Sequence, residues 1–251
     1  MKLVSANVHA LEIPFVEEFS HSAQIRVASD SVVVRVVNED GVAGFGEGAA
    51  RPYVTGETPD AMVEHLVRGL WPKLAGLELP DPVEDGLGSV GALIPEMAPP
   101  GVIAPNAARC ALELATLDCI LRATGSSLAT LLPPRREVVV YGGVITAGSI
   151  DKVVRRARQM KIVGLKDVKL KVGVGNDVER VRAVRQAIGP DVSLRLDANG
   201  AWNLEEALKF LLAVAPFTIA AVEQPLPEAP WGISRPSGRP APSRSWWTSP
   251  S

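Results

Sequence analysis

Cysteine is nearly absent from this 251-residue chain, with only Cys110 and Cys119 present. They fall nine residues apart on one predicted helix, which excludes a disulfide framework. Both are expected to be buried as small hydrophobes. Net charge is missing as well: 26 basic and 28 acidic residues leave −2. That balance argues against nucleic acid or an anionic membrane surface as the main partner. No apolar stretch reaches the ~18 residues that would suggest a membrane span. Met1-Lys2-Leu3-Val4 opens a strand-like run, not a charged segment followed by an apolar one. A cytoplasmic protein with no membrane partner is expected. What is present is an ordinary globular composition, 47% apolar and 22% charged, with length for one large or two ordinary domains.

Residues 1 to about 50 read as strands. The run Ser31-Val32-Val33-Val34-Arg35-Val36-Val37 is β-branched, and Asn38-Glu39-Asp40-Gly41 is a turn signal. Val42 to Gly48 returns as the second arm of a hairpin. Thr58 is placed to cap a helix with Pro59 at its first position. A longer helix is predicted from about Asn106 to Ala123, stopping at Gly125, with Ala111, Leu114, Ala115, Leu117, Ile120 and Leu121 on its buried face. His9 and His65 are read as structural or surface residues.

From about Glu137 the pattern changes to alternation. Strands are predicted at Val138–Tyr141, Val168–Val172, Val192–Leu196 and Ile219–Val222. Helices fall between them at Ser149–Val163, Asp177–Ile188 and Leu204–Ala213. Repeated βα units imply a parallel sheet with right-handed crossovers. The predicted fold class is therefore α/β: an α+β capping domain over residues 1–130, followed over 131–228 by an incomplete (β/α) TIM-type barrel of about four strands.

Active sites of such barrels sit at the C-terminal ends of the strands. Lys169-Leu170-Lys171, Asp197-Ala198-Asn199 and Glu223-Gln224-Pro225 all fall there. Residues i and i+2 of a strand share a face, so Lys169 and Lys171 point together into the barrel mouth while Val168, Leu170 and Val172 face the buried side. Two carboxylates and two ammonium groups on one rim make a divalent-metal site with a base beside it. Asn199 either turns the loop or joins the metal shell.

Residues 229–251 break the pattern. They hold five prolines, six serines, three arginines, no acid and three of the chain's five tryptophans, and are expected to be disordered. Tryptophan has one codon, so Trp246-Trp247-Thr248 is encoded TGG TGG ACN. Read from the third base, this gives GTG GAC, which is Val-Asp whatever the last base. Position 248 lies 25 residues after Glu223, and Glu223 lies 26 after Asp197. A frameshift near residue 228 that removes a third acidic strand end is the expectation.

Together Lys169-Leu170-Lys171-Val172-Gly173, Asp197-Ala198-Asn199-Gly200 and Glu223-Gln224-Pro225 resemble the signatures of the enolase superfamily. The likeness is greatest to its mandelate racemase/muconate lactonizing type, in the muconate cycloisomerase and dipeptide epimerase branch. Gly44-Phe45-Gly46-Glu47-Gly48 and Ala111 to Asp118 resemble that family's capping domain. The resemblance covers residues 1 to about 228 and implies Mg²⁺ held by Asp197 and Glu223, with Lys171 as the base and Lys169 holding charge near the substrate carboxylate. It also implies a third acid and a second base that have no counterpart here, since position 248 is Thr.

The chemistry so implied is removal of a proton α to a carboxylate, giving an enediolate. Such a site must supply positive charge where negative charge develops. Mg²⁺ suits Asp and Glu oxygens, and a positive neighbour favours the neutral form of a lysine base. The loops carrying His21, Arg26 and Tyr53 resemble those that close over substrate. A racemase, epimerase or cycloisomerase acting on a small carboxylate is expected, with an amino acid or dipeptide favoured and no nucleic-acid partner. The alternatives are a catalytically dead fragment and an acid-sugar dehydratase of the same superfamily. Homo-oligomerisation, or a second chain supplying the rest of the barrel, is left open.

Overall fold

A computed structural model describes the chain except residues 22–23, 53, 83–84, 86–87, 95–103 and 228–251. It divides into two compact units, one formed by Met1–Val16 with Val27–Glu137 and the other by Glu17–Arg26 with Val138 onward. The tail expected to be disordered lies outside the described residues.

The strands of the first half are β1 (Leu3–Leu11), β2 (Pro14–His21), β3 (Gln24–Ala28), β4 (Ser31–Asn38) and β5 (Ala43–Ala49). β2 and β3 pair with each other, while β1, β4 and β5 form an antiparallel sheet with β4 in the middle. The β-branched run of β4 alternates as a half-buried strand should, with Val32, Val34 and Val36 fully buried. The predicted hairpin turn is present. Asn38 Oδ1 accepts from the backbone N–H of Asp40 and of Val42 at 3.1 and 2.7 Å, and Gly41 takes φ 79°.

The helical part runs through α1 (Pro59–Glu64), a π-helical turn (His65–Leu70), α2 (Trp71–Leu74), α3 (Gly88–Leu93), α4 (Asn106–Ala123) and α5 (Leu128–Leu131). Thr58 caps α1 through its side-chain oxygen, which accepts from the N–H of Ala61 at 3.2 Å. The start of α4 has no capping side chain of its own, because Pro105 stands at the cap position. The buried Glu57 serves instead, accepting from the N–H groups of Ala107 and Ala108 at 2.7 and 3.2 Å. A carboxylate suits a helix N-terminus, where unpaired N–H groups and the helix dipole both favour negative charge.

The backbone of α4 rests directly on β5. A Cβ added to Gly48 would lie 2.3 Å from the carbonyl oxygen of Ala107, one added to Gly46 2.0 Å from that of Ala111, and one added to Gly44 2.3 Å from that of Ala115. Glycines two apart on a strand advance about 6.8 Å, and helix residues four apart about 6 Å. The two periods nearly match, so each glycine admits one successive turn of helix. Two expectations fail on α4. Cys119 is buried but Cys110 is exposed, and Leu114 is also largely exposed. Leu114 stands beside the glycine strand, its Cβ 3.0 Å from where a Cβ on Gly46 would lie, with part of its side chain left to solvent. His9 is exposed on β1, and His65 is half-buried in the π-helical turn.

The second unit carries β6 (Gly142–Ile145), α6 (Ile150–Val163), β7 (Asp167–Lys171), α7 (Asp177–Ile188), β8 (Ser193–Asp197), α8 (Leu204–Val214) and β9 (Ala221–Glu223). Its four strands are parallel and in sequence order, β6-β7-β8-β9, the α/β architecture of an incomplete TIM-type barrel. Ser149 caps α6 by accepting from the N–H of Lys152. Val168, Leu170, Leu194 and Leu196 are buried on one face of the sheet, together with Val153, Ala157, Val181 and Val184 of α6 and α7. Each fully buried aliphatic side chain contributes about 1.5–3 kcal/mol.

The first predicted barrel strand is displaced. Val138–Tyr141 are exposed, and β6 begins only at Gly142, which pairs with Asp167, the first residue of β7. Parallel pairing needs a partner, and β7 offers none to the residues before Gly142. Leu204, Leu208 and Leu212 are exposed along α8, at the spacing of one helix face. No helix among the described residues is long and apolar enough to cross a membrane.

Candidate active site

The register of the parallel sheet aligns the candidate residues. Lys171 pairs with Asp197, and Asp197 with Glu223, so three adjacent strands end on three candidate side chains at one level. Lys169 stands one pleat repeat below, opposite Arg195. The alternation of β7 explains why both lysines share a face: Val168 and Leu170 are buried on the other side. Beyond the strands the rim is tied by backbone hydrogen bonds, Val172 N–H to Asp197 O, Ala198 N–H to Glu223 O and Gly200 N–H to Gln224 O, at 2.9, 3.1 and 2.7 Å.

The side chains meet as a charge cluster. Lys169 Nζ lies 2.7 Å from Asp197 Oδ2 and 2.7 Å from Glu223 Oε2. Lys171 Nζ donates to the same Asp197 Oδ2 at 2.6 Å and to Asn199 Oδ1 at 2.7 Å. Asp197 Oδ1 accepts from the N–H of Asn199 at 3.1 Å. Asn199 therefore turns the loop, in the left-handed region at φ 48°, and also orients Lys171. The Asp197 side chain is 1% exposed and that of Glu223, on the edge strand, 54%.

The environment sets the charges. Burial alone would raise the carboxyl of Asp197, but hydrogen bonds from Lys169 and Lys171 outweigh it and hold the group below the usual carboxylate range. For Lys169, burial pulls the ammonium down, yet the bonds to Asp197 and Glu223 win and hold it above the ordinary lysine value. Within this cluster Lys169 is thus held in its charged form. Asp197, Glu223 and Asn199 offer only oxygen donors on neighbouring strand ends, the donor set that a hard divalent cation takes. Among the described residues no group of three or more His, Cys, Asp or Glu side chains could hold a metal ion.

One pair on the same face escaped the sequence reading. Arg195 forks Asp167, with Nε to Oδ1 at 3.2 Å and Nη2 to Oδ2 at 2.5 Å, across β7 and β8 below Lys169. Its signal was available in the period of 2, since Asp167 precedes Lys169, and Arg195 precedes Asp197, by two residues. Of the expected substrate contacts, Arg26 is buried at the end of the Glu17–Arg26 segment of the second unit. His21 ends β2. Tyr53 lies outside the described residues, as does Thr248.

A four-stranded parallel βα sheet in sequence order, with lysines and carboxylates at its strand ends, has the architecture of part of a TIM-type barrel. Comparison with known proteins narrows the class. The enolase C-terminal domain-like family matches residues 152–236. A hydrophobic dipeptide epimerase of Enterococcus faecalis is 31% identical over 228 residues, covering 90% of this chain and 62% of that protein. An N-succinylamino acid racemase of Amycolatopsis is 32% identical over 237 residues, covering 91% and 60%. The crystal structure of the dipeptide epimerase of Enterococcus faecalis complexed with Mg and the dipeptide L-Leu-L-Tyr superposes with a TM-score of 0.76 at 29% identity, over 90% of this chain and 62% of that one. By these matches the chain is similar to the enolase superfamily, of the mandelate racemase/muconate lactonizing type. It spans about 60% of the length of these curated relatives.

Proposed function

We propose that this chain carries the Mg²⁺-dependent half of a site that removes the proton α to a carboxylate, in a racemase or epimerase acting on an amino acid or dipeptide. The observation that carries the proposal is the alignment of Lys171, Asp197 and Glu223 on three adjacent strand ends, with Lys169 beneath them. Relatives that are dipeptide epimerases and N-succinylamino acid racemases support the reaction type. In this reading residues 1–130 are the capping domain and 131–228 the first part of the barrel.

Asp197 and Glu223 would hold the metal, with Asn199 alongside. When bound, Mg²⁺ supplies concentrated positive charge that stabilises the carboxylate as it gains electrons. The rest falls to the chain's own side chains. Lys169 binds and orients the substrate carboxylate. Lys171 takes the α-proton on Nζ, while the electron pair of the broken C–H bond moves toward the carboxylate to give the enediolate. Asn199 and Asp197 aim Nζ from two sides, so the base is positioned before substrate arrives.

A second reading is favoured by the two-carboxylate site: the chain binds metal and substrate but does not turn over. One experiment separates these. The purified chain is incubated with Mg²⁺ and an L,L-dipeptide in D₂O, and the Cα–H signal is followed by proton NMR, with Mg²⁺ binding measured in parallel. The enzyme reading expects deuterium wash-in that Lys171→Met and Asp197→Asn both abolish, with metal binding lost only in Asp197→Asn. The inactive reading expects the same metal behaviour and no wash-in. If Asp197→Asn binds Mg²⁺ as well as the unaltered chain, the metal assignment is wrong.

A further inference from the structure

We propose that Lys169 is a tethered cation that competes with divalent metal for Asp197 and Glu223, so that the metal is admitted by displacing it. The inference rests on the metal site assigned above and deepens it. Lys169 rises from one pleat below the rim, a distance of about 7 Å per two residues, and its stem brings Nζ between the two carboxylates. There it lies 2.7 Å from Asp197 Oδ2 and 2.7 Å from Glu223 Oε2. An ammonium at hydrogen-bond distance from both groups takes the oxygen lone pairs that a hard cation would use.

Charge balance points the same way. The two carboxylates are matched by the ammonium groups of Lys169 and Lys171, so an incoming dication meets a locally neutral cluster. With Lys169 displaced, the same cluster carries a net negative charge that holds the ion. Lys171 is a weaker competitor: its partners are Asp197 Oδ2 and Asn199 Oδ1, which leaves Glu223 to Lys169.

Residue type separates exchangeable cations from permanent ones on this face. Lysine is a point charge on a flexible stem, held through one nitrogen and able to swing away. Arg195, one pleat below Asp197, grips Asp167 with two parallel bonds, an arrangement that resists displacement. The sheet thus places a locked ion pair low on its face and a movable one at the rim, where the metal enters.

The test measures binding of Mn²⁺ by electron paramagnetic resonance, and of Mg²⁺ by its displacement, on the full chain at fixed pH and ionic strength. Lys169→Met should tighten Mn²⁺ binding by about tenfold or more, the factor that corresponds to a modest relief of repulsion. Lys169→Gln, a second variant that keeps a polar side chain, should do the same, and Lys171→Met should gain less. Thermal melts by circular dichroism establish which variants are folded. Binding no tighter in either Lys169 variant, with Asp197→Asn still abolishing it, overturns the competition while the metal site stands. Unchanged binding in Asp197→Asn removes the metal site and the competition together.

Discussion

Substituting Gly46 by alanine tests whether backbone contact between α4 and β5 holds the first unit together. The new Cβ would lie 2.0 Å from Ala111 O and 2.5 Å from Ala115 N, where about 3 Å is the closest that folded chains tolerate, so α4 must retreat by about 1 Å. No side-chain rotation relieves this, because both obstructing atoms are backbone. A gap of 0.5–1 Å forfeits about a quarter to a half of the dispersion attraction across it, and Ala107, Ala108, Ala111, Leu112 and Ala115 are all buried on α4. Overpacking costs typically about 1–3 kcal/mol, and a two-sided backbone clash belongs at or above the top of that range. At a urea slope of about 1–3 kcal/mol per molar, a loss of about 3 kcal/mol moves the midpoint down by 1 M or more. Gly88→Ala is the control: its Cβ would meet nothing within 4 Å at the first residue of α3. Alanine's better helix propensity should leave that variant neutral or up to about 1 kcal/mol more stable. Urea unfolding followed by circular dichroism reads both. A midpoint for Gly46→Ala within 0.3 M of the unaltered chain, or equal shifts in the two variants, would refute the argument.

Two further outcomes follow from charged groups outside the rim. Glu57→Ala leaves the N–H groups of Ala107 and Ala108 without their buried acceptor and should cost about 1–3 kcal/mol, while Glu57→Gln, which keeps one acceptor oxygen, should recover part of it; equal loss in both would show that the effect is not capping. The guanidinium of Arg195 holds the carboxyl of Asp167 below its ordinary value, so the pair stabilises the fold above the unfolded carboxylate value of about 3.9 and stops doing so as pH falls through the lower folded value. The stability gap between the unaltered chain and Arg195→Gln should therefore be level from pH 7 to about 4 and close on further acidification. A gap of constant size down to pH 2, by urea midpoints, would mean that the ion pair is not its source.

The parts of this fold that could be read in advance are those set by short-range chemistry. Thr58 with Pro59 and Ser149 carry their start signals within a few residues, the helix from Asn106 to Ala123 carries its stop signal at Gly125, and each stands where it was expected. Lys169, Lys171, Asp197 and Glu223 were legible because strand ends impose both a spacing and a face. What could not be read depends on partners distant in sequence. Val138–Tyr141 looks like a strand in every local respect, but pairing is decided by where β7 begins. Cys110 and Cys119 share one helix, and only the position of β5 decides which is covered. Glu57 caps a helix that starts about fifty residues later, a contact with no local signature. The lysine–carboxylate contacts at the rim follow from a register that only the folded sheet fixes.

The strand of glycines under α4 works as a rack on which the helix is the pinion. Its teeth repeat every two strand residues, and the matching turns of the helix end in Ala107, Ala111, Ala115 and Cys119, all small. Moved along by one tooth, α4 would still find Ala111, Ala115 and Cys119 over Gly48, Gly46 and Gly44. The meshing therefore fixes the phase of the helix, while its place along the strand is set by what lies beyond the glycines, where the buried Ala108, Leu112, Thr116 and Ile120 differ in size. Glu57 adds to that choice, because its carboxylate closes on the free N–H groups at the first turn. One buried acid acts as the pawl of the ratchet, set at the same end of α4 where the meshing begins.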